Sequence, residues 1–176
     1  AFAIIMLLVY RRRNQRTTRL LRESEASFRQ FRFISDSSPS MIWITDTNRS
    51  CTWVNKTWLL FRGRGMAQEL GTGWMAGIHG DDIEACIAHF ESYFDVRQPF
   101  SMEYRLMRND GQYRWILDMG QPMFAADGAF TGYVGTCIDV TERKQLELER
   151  EMFQTFFAMS HEMMAITGYD GYFKRV

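Results

Sequence analysis

From Phe100 to Leu106 the sequence alternates strictly: Phe100, Met102, Tyr104 and Leu106 are apolar, and Ser101, Glu103 and Arg105 between them are polar. A period of two places these sets on opposite faces of a β-strand, so one face is buried and the other is not. Asn109-Asp110-Gly111 follows, a strong signal for a tight hairpin turn, and leads into "QYRWILDMGQPMFA". Ala126-Asp127-Gly128 turns the chain again into "FTGYVGTCIDVT". Strands joined by turns this short are antiparallel neighbours. A meander over residues 100–141 therefore constrains everything else the chain can build.

Upstream, "MIWITD" and "SCTWVN" are β-branched and aromatic runs around Thr47-Asn48-Arg49, and read as a hairpin. "NKTWLLFRGRG" reads as a short helix ended by glycines, and "TGWMAGIHG" as a further short turn or helix. The longest helix inside this region is "DDIEACIAHFESYF", with Ile83, Ile87, Phe90 and Phe94 forming its apolar face. Asp81 is expected to cap it, with Glu84 completing a capping box. Strands and helix each have one apolar side to bury, so the fold class is α+β, an antiparallel sheet with helices on one face. Residues 37–141 suffice for one domain with one core.

Two charged helices bracket that domain. Leu20, Leu21, Phe28 and Phe31 recur at near-helical spacing before it, and Leu146, Phe153 and Phe156 do so in "TERKQLELEREMFQTFF" after it. Such helices can pair with their copies in a homodimer. At the N-terminus, "AFAIIMLLVY" carries no charge and covers about half of the ~20 residues that span a bilayer core. Arg11, Arg12, Arg13, Arg16, Arg19 and Arg22 follow it, the reverse of a signal peptide. Residues 1–10 are thus expected to be the end of a transmembrane helix with the rest on the cytoplasmic side. The chain starts at Ala1 and stops within an alternation at Val176, and is read as a segment of a longer protein.

With a formal net charge of zero, and the basic excess confined to the arm after Tyr10, the chain suits anionic lipid heads better than a nucleic-acid groove. Cys51, Cys86 and Cys137 are odd in number and widely spaced, which points to neither a disulfide framework nor a zinc site. Reduced, buried thiols fit a cytosolic domain.

The order of elements, together with "WVNKTWLLFRG", "GWMAGIHGDD", "FSMEYRLMRNDGQYRWILD" and "GYVGTCIDVTERK", resembles a PAS domain of the bacterial sensor type over residues 35–144. The resemblance implies a five-stranded antiparallel sheet with flanking helices and a role in signal input. It also implies that Asp139-Val140-Thr141 joins the last strand to the output helix, with Asp139 and Thr141 as signal-transmission residues. Thr141 is read as a cap for a helix starting at Glu142. In "HGDD" Gly80 stands where many relatives carry proline, which removes a fixed φ before the long helix.

Shifting the chain by 122 positions aligns Phe153, Ser160, Met163, Ile166, Thr167 and Val176 with Phe31, Ser38, Met41, Ile44, Thr45 and Val54. Residues 159–176 therefore look like the start of a second PAS domain, after a linker helix at 142–158. In that alignment His161 falls on Pro39, and the apolar residues after it lack the proline of a phosphoacceptor helix. It is read as an ordinary residue.

No phosphate loop, metal-spaced cluster or nucleophile with a base is present, so no catalytic residue and no metal ligand is assigned and the segment is not read as an enzyme. Glu103 and Asp118 are read as solvent-facing carboxylates. His89 lies away from the apolar face of its helix and is expected to face solvent, which disfavours haem. Residues 55–80 hold no cysteine, which disfavours a cysteinyl-flavin photosensor. Trp58, Phe61, Trp74, Met102, Tyr104, Trp115 and Met119 are the candidates for lining a pocket, able to stack an aromatic ligand such as FAD or simply to fill the core. The expected function is a sensory and dimerisation module of a membrane-anchored bacterial protein whose output is a histidine kinase. A diguanylate cyclase output, a passive interaction spacer and a flavin-binding redox sensor are the alternatives.

Overall fold

The computed structural model describes residues 2–159, 166–167 and 173–175. Helix α1 (Phe2–Asp36) leads into β1 (Met41–Thr45) and β2 (Cys51–Val54). Short helices α2 (Lys56–Arg62) and α3 (Met66–Glu69) and a 3-10 turn (Gly73–Gly77) precede α4 (Ile83–Val96). Strands β3 (Phe100–Met107), β4 (Tyr113–Phe124) and β5 (Phe130–Asp139) form the meander, and α5 (Thr141–Met159) leaves it. The sheet is five-stranded, in the order β2-β1-β5-β4-β3, with antiparallel pairs throughout. This is the expected α+β architecture.

The two hairpin strands β1 and β2 meet the meander because β1 pairs with β5, Met41 opposite Cys137 and Ile44 opposite Val134. The buried core lies between the sheet and the helices α2 to α4, with Trp43, Trp58, Trp74, Phe90, Phe94, Phe100, Tyr104, Ile116 and Tyr133 in it. Glycines make room for its largest rings. Gly120 and Gly135 face each other across β4 and β5. A Cβ on Gly120 would fall 2.2 Å from the Phe100 ring, and one on Gly135 2.2 Å from the Trp43 ring. Phe100 and Trp43 thus lie flat on a bare strip of sheet and stack on each other at 6.1 Å.

Two expectations change. Asp81 does not cap α4: the residue before the helix is Asp82, which makes no side-chain cap bond. Its carboxylate turns instead to β3, accepting from the Arg105 backbone N–H at 2.9 Å and from the Arg105 guanidinium at 2.6 Å. A carboxylate–guanidinium pair with two parallel bonds outweighs a single cap bond to a backbone N–H. His89 is half-buried, stacked on Tyr93 at 4.7 Å, because the buried line of α4 runs through Cys86, Phe90 and Phe94 and leaves its flank against aromatic neighbours. Residues 11–36, read as a juxtamembrane signalling helix, lie within α1.

Among the described residues no helix is long and apolar enough to cross a membrane. Beyond α5, β6 (Ile166–Thr167) and β7 (Phe173–Arg175) pair antiparallel. His161 and most of the segment read as the start of a second domain lie outside the described residues.

Candidate functional site

The core contains a cavity of about 20 Å³ lined by Trp43, Thr45, Cys51, Trp58, Trp74, Phe90, Met102, Tyr104 and Asp118. That volume holds about one water molecule. A flavin or haem ring enters only if these side chains move apart.

Of the pocket candidates, Trp58, Trp74, Met102 and Tyr104 meet at this cavity. Phe61 and Met119 line neither it nor the second crevice. That crevice, about 250 Å³, runs between α4 and β3 and takes Trp115 in its wall, with His89, Cys86 and Glu103. Trp115 and Met119 fall on the opposite face of β4 from the buried Ile116, Asp118 and Gly120. A strand read one residue out of phase exchanges its two faces completely.

Asp118 is the residue that this error concealed. It is 3% exposed, not solvent-facing, and opens onto the cavity. Trp43 Nε1 donates to its Oδ1 at 2.8 Å, and the Tyr104 hydroxyl donates to its Oδ2 at 3.2 Å. Burial pushes its carboxyl up to about 6, against the pull of these donors. Tyr104 and Cys137, which flank it, are likewise pushed up by burial. Cys51 on the cavity wall rises to about 11 for the same reason, so none of these thiols is a ready nucleophile. Glu103, by contrast, is on the outer face as expected, where Lys144 and Arg143 hold its carboxyl below the usual range.

A second buried carboxylate lies outside the cavity lining and is joined to it through Trp58. Glu69 is 0% exposed. It accepts from Trp58 Nε1 at 2.9 Å, and Arg64 and Arg62 stand 3.1 Å and 3.7 Å from it. Burial lowers the Arg62 guanidinium's affinity for its proton and Glu69 restores part of it. Gly77 is required beside it, since a Cβ there would overlap the guanidinium at 1.9 Å.

The core is tied to both outer helices. Buried Asn55 accepts from the N–H groups of Ile42 and Trp58 and donates to the carbonyls of Ser35 and Ser40, so one side chain joins the end of α1, β1 and α2. At the other end Asp139 accepts from the Thr141 N–H at 2.9 Å and thereby caps α5. Thr141 does not cap; it is the first residue of α5, and its hydroxyl accepts from the Trp115 N–H at 2.9 Å. Glu103 on β3 adds ion pairs to Arg143 at 2.6 Å and Lys144 at 2.5 Å. The exit helix is thus fastened to three strands at its first turn.

Residues 52–137 match the family described as PAS fold. The domain is a PAS domain. The chain is 42% identical over 148 residues to the uncharacterized protein y4lL of Sinorhizobium fredii, covering 84% of this chain and 18% of that protein. It is 29% identical over 123 residues to the peroxide stress-activated histidine kinase mak1 of Schizosaccharomyces pombe, covering 69% of this chain and 7% of mak1. The PAS domain of a Colwellia psychrerythraea protein superposes with a TM-score of 0.56 at 22% identity, covering 65% of this chain and 98% of that one. The chain therefore spans a small part of its curated relatives, and shares its fold with a PAS domain solved by itself.

Proposed function

We propose that this chain is the sensory and dimerisation segment of a membrane-tethered bacterial signalling protein, in which the PAS core controls the packing of α5 and so a histidine kinase output further along the chain. The observation that carries it is the junction at α5. Asp139, Thr141 and Glu103 fix the first turn of the helix to β5, β4 and β3, and Asp118 in the cavity wall pairs across the sheet with Cys137, two residues before Asp139. A disturbance of the cavity shifts strands that end in the helix, and favouring one packing of α5 over another is all that signalling requires. The kinase output is supported by the likeness to mak1. The tether is supported by the uncharged residues 1–10 followed by six arginines, the order found at the cytoplasmic end of a membrane helix.

The test is amide hydrogen exchange on Tyr104→Phe, which removes one hydroxyl from Asp118 and no bulk. Exchange at 141–146 of α5 should change by about tenfold or more while α4 stays protected. Unchanged exchange in α5 would favour a passive spacer instead.

A further inference from the structure

We propose that the open edge of β3 is a docking site for an extended segment of a partner protein, one that carries a lysine or arginine. The segment adds a sixth strand beside Ser101–Glu103 and lays that side chain in the crevice between α4 and β3, with its head at Asp81. The site lies outside the core cavity and does not depend on the sensory reading.

The two edges of the sheet are finished differently. β2 has four residues, and the loop after α3 takes the first: Cys51 donates to the Gly71 carbonyl at 3.0 Å and accepts from its N–H at 2.8 Å. On β3, which has eight residues, only the far end is closed. There the Arg105 N–H donates to Asp82 at 2.9 Å, and the Arg105 carbonyl accepts from the His79 N–H at 2.9 Å. Backbone groups along a strand turn alternately to either side. Ser101 and Glu103 therefore turn theirs as Arg105 does, away from β4. Among the described residues nothing bonds the N–H or the C=O of either. Unpaired groups in a row are a template for another strand.

The crevice beside this edge says what the strand must carry. It holds about 250 Å³, with Ala85, Cys86, His89 and Met102 along its walls and Asp81 and Asp82 where α4 begins. Residues opposite each other on paired strands share a face, so the added residue facing Met102 points into it. Apolar walls with an acidic end suit a long aliphatic stem with a charged head. No lysine or arginine lines the crevice. Asp81 is 76% exposed, with His79 at 3.4 Å and Arg105 at 3.2 Å, and Glu84 and Glu91 on α4 are exposed as well. A second copy of β3, paired about its centre, would put Met102 opposite its own copy and bring no cation. The charge therefore selects a basic segment of another protein.

Amide NMR of the whole chain with the peptide Ac-Thr-Val-Lys-Val-Thr-NH2 tests this. One control replaces lysine by glutamate, and the other is N-methylated at both valines, the residues that would bond Ser101 and Glu103. The lysine peptide should slow exchange of the Ser101 and Glu103 amides by about tenfold. The glutamate peptide should bind about tenfold more weakly and the methylated one not at all. Asp81→Asn should weaken the lysine peptide by about threefold. Ser101→Pro removes an outward N–H at a position where an edge strand tolerates proline, and should abolish protection at Glu103. Should that variant not fold, the methylated peptide decides. Equal binding of the lysine and glutamate peptides, equal binding of the methylated one, or unchanged exchange at both amides overturns the proposal. Amides already protected without peptide and released on dilution mean that a second copy holds the edge, which overturns it too.

Discussion

Asp118 shows how a single side chain sets a property of the whole domain. Folded, it holds its proton up to about pH 6, whereas an unfolded aspartate releases it near 3.9. The contribution of the bound proton to stability is therefore complete below about 4 and lost as pH rises through 6, amounting to ~3 kcal/mol. Asp82, Glu103 and Asp110 have lowered values and act in the opposite sense, so the informative quantity is a difference. Denaturant unfolding of the wild type minus Asp118→Asn should fall between pH 4 and 6.5 and then level off; a flat difference would contradict a buried, proton-holding carboxyl. Glu69 gives the converse case. Glu69→Leu leaves Arg62 buried beside an apolar side chain, and the expected loss is ~3 to 5 kcal/mol in the same assay. Neither acid was legible as buried. In "WILDMG" the outward residues Trp115, Leu117 and Met119 are more apolar than the inward Ile116, Asp118 and Gly120, so hydrophobicity selects the wrong phase. Counting from the turn would have selected the right one: with Asp110 at the centre, Tyr104 falls opposite Ile116 and Met102 opposite Asp118, as observed, and cross-strand partners share a face.

Elements were more legible than residues because each carries its own periodicity and its own stop. The alternation in β3, the turn at 109–111 and the glycine with φ 65 that ends α2 are local signals, and each appears where the sequence places it. The caps of α4 and α5 were misread because their partners are distant in sequence: Asp81 is engaged by Arg105 and Thr141 by Trp115. At α5 the consequence is measurable. Asp139→Ala removes the acceptor for the Thr141 N–H and should cost about 1 kcal/mol. Thr141→Val strands the Trp115 N–H, at a cost of ~1 to 3 kcal/mol. Exchange in the first turn of α5 should quicken in both variants, and β4 should loosen only in Thr141→Val. Loosening of β4 in Asp139→Ala as well would mean that the two bonds form one unit.

At the scale of the whole molecule, the apolar residues of the PAS core are covered and those of the helices that bracket it are not. Leu20, Leu21, Phe28, Phe33 and Ile34 on α1, and Leu146, Leu148, Met152 and Phe156 on α5, are each more than half exposed in the single chain. Apolar residues recurring along two long helices form a larger surface than an isolated soluble domain ordinarily leaves in water. The order within the core explains why they stay uncovered: the helices α2 to α4 already close the sheet's inner face, and α5 touches the domain through its first turn. A second copy of the chain supplies the same surface, and a two-fold axis places like against like. The chain should therefore sediment as a dimer at micromolar concentration, and Leu21→Glu with Leu146→Glu should raise its dissociation constant by about a hundredfold, two apolar contacts at ~1.4 kcal/mol each. Since neither residue touches the core, Tm measured far below that constant should match the wild type's within about 2 °C. A double variant that remains dimeric would place the interface on the sheet rather than on the helices, and signal transfer would then have to run through β3 and β4 instead of along α5.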